Sequence, residues 1–197
     1  MDPSQQMRDL VGAGRGALIG AMFGSGWLGW GLGNAKAFNG LTGPLFGFTT
    51  VFLLACSVYA VRKGRRLREQ YPASSGPERE TIRKRFLLVV LVEAVAIAFT
   101  SILANRLHRP DLATDWCALI VGLHFLPLAR IFHAPRYNVL ALLMTLWCLL
   151  CWGLFRSNAL TISVSLGTGV LLWISCVSAL FRARRIVRGL RDSFVAV

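Results

Sequence analysis

The segment 86-FLLVVLVEAVAIAFTSILAN-105 is a block of twenty residues that is almost entirely apolar and contains one acidic residue, Glu93. A hydrocarbon core about 30 Å thick is crossed by roughly 20 residues of helix. Five more blocks meet or approach this length, so that the six run over residues 16–33, 40–61, 86–105, 112–132, 137–155 and 159–181. None alternates polar and apolar residues as a barrel strand would. The sequence predicts an all-α polytopic membrane protein, a bundle of six transmembrane helices forming one domain over residues 1–197.

The charge of the chain does not indicate a nucleic-acid binder. The 197 residues include 22 Lys and Arg and 9 Asp and Glu, for a net charge of +13. Nucleic-acid-binding proteins collect such charge on a folded face or in tails with interleaved aromatic residues. Here the basic residues lie between the apolar blocks, which is typical of the loops of membrane proteins. We expect no nucleic-acid partner.

The basic residues also predict the orientation of the chain. With the N-terminus inside and six crossings, 18 of the 22 basic residues are inside, and Lys36, Arg106, Arg109 and Arg156 are outside. The loop 62–85 and the tail 182–197 hold most of the inner charge. The bias predicts both termini in the cytoplasm of a multi-pass protein in the cell membrane, the bacterial inner membrane. We expect the loop to lie against anionic lipid headgroups, and the tail to form a basic amphipathic helix on the same leaflet.

The first block, 12-GAGRGALIGAMFGSGWLGWGLG-33, repeats small residues every four positions. Such rows let helix backbones approach closely in lipid. The strip has two possible uses, packing inside the bundle or a homodimer seam, and its predicted glycines are Gly12, Gly16, Gly20, Gly24, Gly29 and Gly33.

Two ionisable residues are predicted to meet inside the membrane. Glu93 lies seven residues from the inner end of its block, and His124 lies seven residues from Ile131, near the inner end of the next block. A short outer link joins the two blocks, so both groups have the same depth, about 10 Å from the inner end of the apolar core. In the apolar core of the membrane, each group by itself would stay neutral, at a cost in free energy. Together, the two groups can share a proton or a hydrogen bond. Pro127, three residues on, is expected to disturb the carbonyl of Leu123.

Together with this pair, other polar residues of the spans form a possible pathway for ions or protons. The candidates are Glu93, His124, Asp115, Asn105 and Arg130. An equally open interpretation is a structural clamp between two helices, because Ser and Thr in spans often bond their own helix carbonyls. The sequence contains no metalloprotease pattern, and we predict no catalytic residue, no metal site and no cofactor. The five cysteines fall within spans, where buried apolar roles are expected rather than redox chemistry.

The segment 122-GLHFLPLARIF-132 resembles one found in uncharacterised bacterial polytopic membrane proteins of about this size, which carry a G-L-H-F-x-P-L-A-basic-x-F pattern. The resemblance covers mainly spans three to five. It implies a compact bundle of membrane helices and no established activity.

Two functional classes follow from these observations. One is a small transporter or an ion or proton pathway that uses the Glu93–His124 pair. The other is a non-catalytic scaffold or regulatory protein that acts through the glycine-rich face or the basic loop. A membrane enzyme ranks third, because the sequence offers no nucleophile with a base and no metal constellation.

Overall fold

The computed structural model describes residues 3–70, 78–109, 111–132 and 134–195, and these residues are helical apart from short links. No strand occurs among them. Each predicted block corresponds to one helix, because a backbone in lipid satisfies its hydrogen bonds within the helix. The helices are α1 (Pro3–Asn34), α2 (Thr42–Gln70), α3 (Glu78–Arg106), α4 (Asp111–Ile131), α5 (Arg136–Leu154) and α6 (Ser157–Val195).

Five of these helices are long and apolar enough to cross a membrane, within Thr42–Arg66, Glu80–Arg106, Leu112–Ile131, Arg136–Leu154 and Ser157–Gly189. The remaining helix, α1, has 32 residues and therefore sufficient length. Glycine contributes little to hydropathy, so the many glycines of α1 explain why the mean hydropathy of its apolar part is lower than that of the other five spans. The predicted all-α membrane bundle of six helices is confirmed, and the chain is a multi-pass membrane protein.

Four helices extend well beyond the predicted apolar blocks, and one of them, α1, begins at Pro3, thirteen residues before its block. The two flanks of the loop 62–85 are helical, since α2 ends at Gln70 and α3 begins at Glu78, and its turn-rich centre, 71–77, lies outside the described residues. The tail is helical but is not a separate element: α6 continues for 39 residues without a break. Within this extension Ala183 is buried and packs with Leu10 and Ala13. The start of the tail therefore packs against α1, which differs from a helix lying alone on the leaflet.

The described contacts divide the chain into two compact units. The first contains α1 up to Gly26, α2, and α6 from Leu172 onwards. Its core consists of small side chains of α1 packed on α2 and α6: Ala17, Ala21, Leu53, Cys176 and Ala179.

The second unit contains α1 from Trp27, all of α3 to α5, and α6 up to Leu171. Here α4 packs against both α3 and α5. Its core joins α4, α5 and α6 through Ala118, Cys148, Cys151, Leu160 and Val164. Because α1 and α6 contribute to both units, the single membrane domain stays a prediction.

The link between α5 and α6 is only two residues long, Phe155 and Arg156. It turns through Ser157, whose φ of 53° lies in the left-handed region. The Arg156 guanidinium donates hydrogen bonds to the carbonyls of Trp152 and Phe155. These bonds satisfy carbonyls at the end of α5 that have no helical partner.

Candidate functional site: an intramembrane glutamate and histidine

Glu93 and His124 are placed opposite each other by the hairpin of α3 and α4. Glu93 lies thirteen residues before the end of α3 at Arg106, and His124 lies thirteen residues after the start of α4 at Asp111. The helices pack together, so equal distances from the link put the two residues at one level. Glu93 belongs to a half-buried row on α3 with Phe86, Val89 and Thr100, whose spacings of three, four and seven keep it on one side of a helix.

The two side chains are in contact. His124 Nδ1 lies 3.0 Å from Glu93 Oε2, and the side chains are 11% and 19% exposed, respectively. The distance is that of a hydrogen bond, but the carboxylate oxygen lies off the line of the ring N–H bond, so that Nδ1 has no well-directed partner among the described residues. Hydrogen bonds weaken steeply when bent. The two groups are therefore in contact at 3.0 Å without a linear hydrogen bond between them.

Aromatic rings pack together between the pair and the end of α4. The rings of Phe86 and Phe132 lie 6.0 Å apart between α3 and α4. Tyr137 of α5 stacks on Phe125, at 5.9 Å, and meets Phe132 edge-on. In the other direction along α4, Cys117 lies two turns from His124.

Pro127 lies within α4, which continues through it to Ile131. Proline has no backbone N–H, so the carbonyl of Leu123 receives no hydrogen bond from residue 127. This carbonyl belongs to the residue before His124. It is an additional acceptor next to the pair.

The other predicted pathway residues lie elsewhere. Asp115 is 2% exposed and lies nine residues from His124, about 13 Å along α4. One turn further along α4, Ala118 packs with Cys148 and Cys151 of α5. Asn105 and Arg130 are exposed. The structure thus brings together two of the five candidates, and the pathway role of all five stays a prediction.

Thr100, which continues the polar side of α3, bonds its own helix. Its hydroxyl donates to the carbonyls of Ala96, at 2.9 Å, and Ile97, at 3.1 Å. This is the ordinary behaviour of threonine in a span. Thr100 therefore adds no interhelical contact to the pair.

The predicted glycine face is only partly the buried face of α1. Gly20 and Gly24 are buried, Gly16 and Gly29 are half-buried, and Gly12 and Gly33 are exposed. Close approaches also occur outside the predicted set: an added Cβ would lie 3.0 Å from the backbone nitrogen of Val61 at Gly14 and 2.8 Å from the side chain of Leu166 at Gly31. At Gly20 the nearest atom would be the carbonyl oxygen of Leu172, at 3.1 Å.

Sequence analysis missed two buried hydroxyl groups on α6. Ser165 and Thr168 are both 0% exposed, and among the described residues their oxygen atoms have no hydrogen-bond partner. The signal was present in the spacing of Thr161, Ser165 and Thr168, which places all three on one side of a helix. Such groups are costly unless they bind water, an ion or another polar group.

Within the ranges that the structure describes, no group of three or more His, Cys, Asp and Glu residues is placed to hold a metal ion. All five cysteines are free thiols, and three of them, Cys148, Cys151 and Cys176, are buried. The absence of a cofactor stays a prediction.

The comparisons with known proteins name no activity. Residues 86–182, just under half of the chain, match a family of unknown function, DUF7010. No curated protein and no solved structure matches the chain. The matched residues include both Glu93 and His124 and continue to the apolar end of α6, one span further than the predicted resemblance. The G-L-H-F pattern itself stays a prediction. Over this half the chain is similar to a family of unknown function, and the whole is an integral membrane protein.

Proposed function

We propose that this protein provides a proton pathway, as a small carrier or channel, with the Glu93–His124 pair as its ionisable centre. The observation that carries the proposal is the 3.0 Å contact between a carboxylate and an imidazole on apolar membrane helices. Ionisable residues inside spans are rare and commonly mark ion or proton pathways.

The chemistry of the pair suits proton transfer. A proton on the Glu93 carboxyl group can move to His124 Nδ1, which converts a neutral acid and a neutral imidazole into a carboxylate and an imidazolium. Neither state leaves an isolated charge in the apolar span, because the two charges form side by side. The side chains are mostly shielded, at 19% and 11% exposure, so their mutual interaction is stronger than it would be in water.

The proposed route enters from the cytoplasmic side, where the predicted orientation puts the end of α4. The unbonded carbonyl of Leu123 is an acceptor for a water molecule close to His124. Arg130 lies six residues further, about 9 Å along the helix, and is exposed. The positive charge of Arg130 favours water and anions over metal cations at that end of the helix.

The second candidate is a non-catalytic scaffold in the same membrane that acts through α1 as a homodimer or binds a partner there. The support for it is the open side of α1, where a Cβ added at Gly12 or Gly26 would meet nothing within 4 Å. Against it, α1 already makes close approaches at Gly14 and Gly20 within the first unit. We therefore rank the proton pathway first.

The test is proton flux into proteoliposomes that contain the full chain. Glu93→Gln keeps the size and hydrogen-bonding capacity of the side chain but cannot ionise, so we expect flux to fall by about tenfold or more, the range lost when proton transfer by a positioned group is removed. The matched control is Thr100→Val, on the same side of α3, which should leave flux unchanged because Thr100 bonds only its own helix in the described contacts.

The outcomes separate the pathway from a clamp. If Glu93→Gln retains wild-type flux, or the wild-type protein carries no protons, the proton pathway is wrong. If Glu93→Gln retains stability while Glu93→Leu lowers it, and neither changes flux, the pair is a structural clamp between α3 and α4.

A further inference from the structure

Aromatic side chains of α3, α4 and α5 form a cluster beside the Glu93–His124 pair. The ring centres of successive members lie 5.9 to 6.5 Å apart. The imidazole ring of His124 meets the first of these rings, that of Phe125, edge-on at 5.8 Å. A continuous run of ring contacts therefore leads from the pair to α5 and α3. This aromatic cluster consists of Phe86, Phe125, Phe132 and Tyr137.

The aromatic cluster lies between the pair and the inner ends of two apolar blocks. Phe86 is the first residue of the block 86–105, and Phe132 is the last residue of the block 112–132. Glu93 lies seven residues further along α3 than Phe86, about 10 Å. The four rings and the pair all belong to the second unit. On the predicted orientation, the cluster thus occupies the level between the pair and the cytoplasm.

Tyr137 is the central ring of the aromatic cluster. It stacks on Phe125 and meets Phe132 edge-on, and the guanidinium carbon of Arg136 lies 5.0 Å from the centre of its ring. Tyr137 is half-buried, whereas Phe132 is 45% exposed. A truncation of Tyr137 therefore breaks the run of rings in its middle.

We propose that the aromatic cluster is the cytoplasmic gate of the Glu93–His124 pair. With the rings in contact it keeps water from the pair, and a rotation of Tyr137 away from Phe125 admits water. Apolar constrictions in membrane pathways gate in this way, by dewetting. The inference rests on the proposed proton pathway, because it concerns the access of water to the same ionisable centre.

The alternative role of the rings is packing alone. The pair is mostly shielded, at 19% and 11% exposure for Glu93 and His124, and the rings lie at the level through which the proposed route enters. If they only hold three helices together, a smaller side chain at position 137 lowers stability and leaves the access of water to Glu93 unchanged. A gate requires that this access increases.

The experiment measures how fast a water-soluble carbodiimide and an amine label the carboxyl group of Glu93 in the full chain in proteoliposomes, with mass spectrometry as the readout. Tyr137→Ala leaves space for water, which needs about 10–15 Å³ per molecule, so labelling of Glu93 should rise several-fold. Tyr137→Phe keeps the ring and should leave labelling unchanged. The matched control is Phe99→Ala, which removes a ring of α3 that is 64% exposed and lies outside the cluster; it should also leave labelling unchanged.

Labelling of Asp115, which is 2% exposed, reports a general loosening of the protein and should stay constant. The gate is overturned if Tyr137→Ala leaves labelling of Glu93 at the wild-type rate, or if Tyr137→Phe raises it as much as Tyr137→Ala. It is equally overturned if Phe99→Ala, or Asp115 in the Tyr137→Ala protein, shows the same rise.

The gate and the proton pathway fail by different results. A wild type that carries no protons refutes the pathway, whatever the labelling shows. Loss of flux in Glu93→Gln together with unchanged labelling in Tyr137→Ala refutes the gate and leaves the pathway standing.

Discussion

The helices α1 and α3 follow opposite patterns of burial. In α1 the residues with no exposed surface are alanines, Ala13, Ala17 and Ala21. In α3 the large apolar residues point outward: Leu88 is 61% exposed, Leu91 60% and Phe99 64%. In water this arrangement would be inverted. In lipid the tails are as apolar as leucine, so burial gains little and the close approach of backbones decides the packing.

One residue of α3 shows that the same rule operates there. Ala104 is 0% exposed and lies eleven residues after Glu93, which places it on the same side of the helix. That is the side that meets α4. Where α3 packs against a neighbour, it does so through a small residue, as α1 does. The two helices therefore differ in how many of their positions make such contacts, and not in the kind of residue that makes them.

The largest expected effect is at Gly14 of α1. A Cβ there would lie 3.0 Å from the backbone nitrogen of Val61 and 3.2 Å from the carbonyl carbon of Ala60. A backbone cannot rotate away as a side chain can, so Gly14→Leu should force α1 and α2 apart. We expect a loss of about 3 kcal/mol or more in the free energy of unfolding, measured by denaturant titration in detergent.

The control for this variant lies two residues away. Gly12→Leu adds the same side chain where a Cβ would meet nothing within 4 Å, and should change stability by less than about 0.5 kcal/mol. Equal effects of the two variants would mean that helix propensity, and not close approach, determines the stability of α1.

A smaller effect is expected at Ala104, where Leu must fit between α3 and α4. We expect Ala104→Leu to cost about 2 kcal/mol, because neighbouring side chains can move in part. Ala94→Leu is the matched control, since Ala94 is exposed on the same helix. If Ala104→Leu is tolerated as well as Ala94→Leu, the α3–α4 contact is loose. The statement that α3 packs closely through a small residue would then be wrong.

The smallest effect is expected at Leu91. Leu→Ala in the core of a soluble protein costs about 2–5 kcal/mol, but Leu91 is 60% exposed and should face lipid. Leu91→Ala should therefore change the free energy of unfolding by less than about 0.5 kcal/mol in the same titration. A loss of 2 kcal/mol or more would show that protein, such as a second copy, covers this side of α3.

The helices, and the shared depth of Glu93 and His124, could be predicted from the sequence by counting residues along the apolar blocks. Apolar block length fixes a span, and a short link fixes which residues of two adjacent spans share a depth. Side-chain direction was not needed for this, because Glu93 is the one ionisable residue of its block and His124 lies at the same depth in the next.

The rotation of each helix about its axis could not be predicted in the same way. In α1 the four-residue spacing of small residues selected Gly12, which is exposed. It left out Gly14, which belongs to no such row and yet lies against Val61. Asn105 and Arg130 were predicted to belong to the pathway, and both are exposed. Asp115 is buried, and one turn further along α4 Ala118 packs with Cys148 and Cys151 of α5, which no count along α4 could supply.

The two-residue link between α5 and α6 has a consequence for the biosynthesis of the protein. With only Phe155 and Arg156 between them, the helices cannot be far apart while the chain is being made. We expect them to enter the bilayer together as a helical hairpin, after the translocon has received both segments. On the predicted orientation Arg156 is the charge that this hairpin carries across, at about 2.5–3.5 kcal/mol for an arginine at the bilayer centre. Its hydrogen bonds to Trp152 and Phe155 offset part of that cost during translocation.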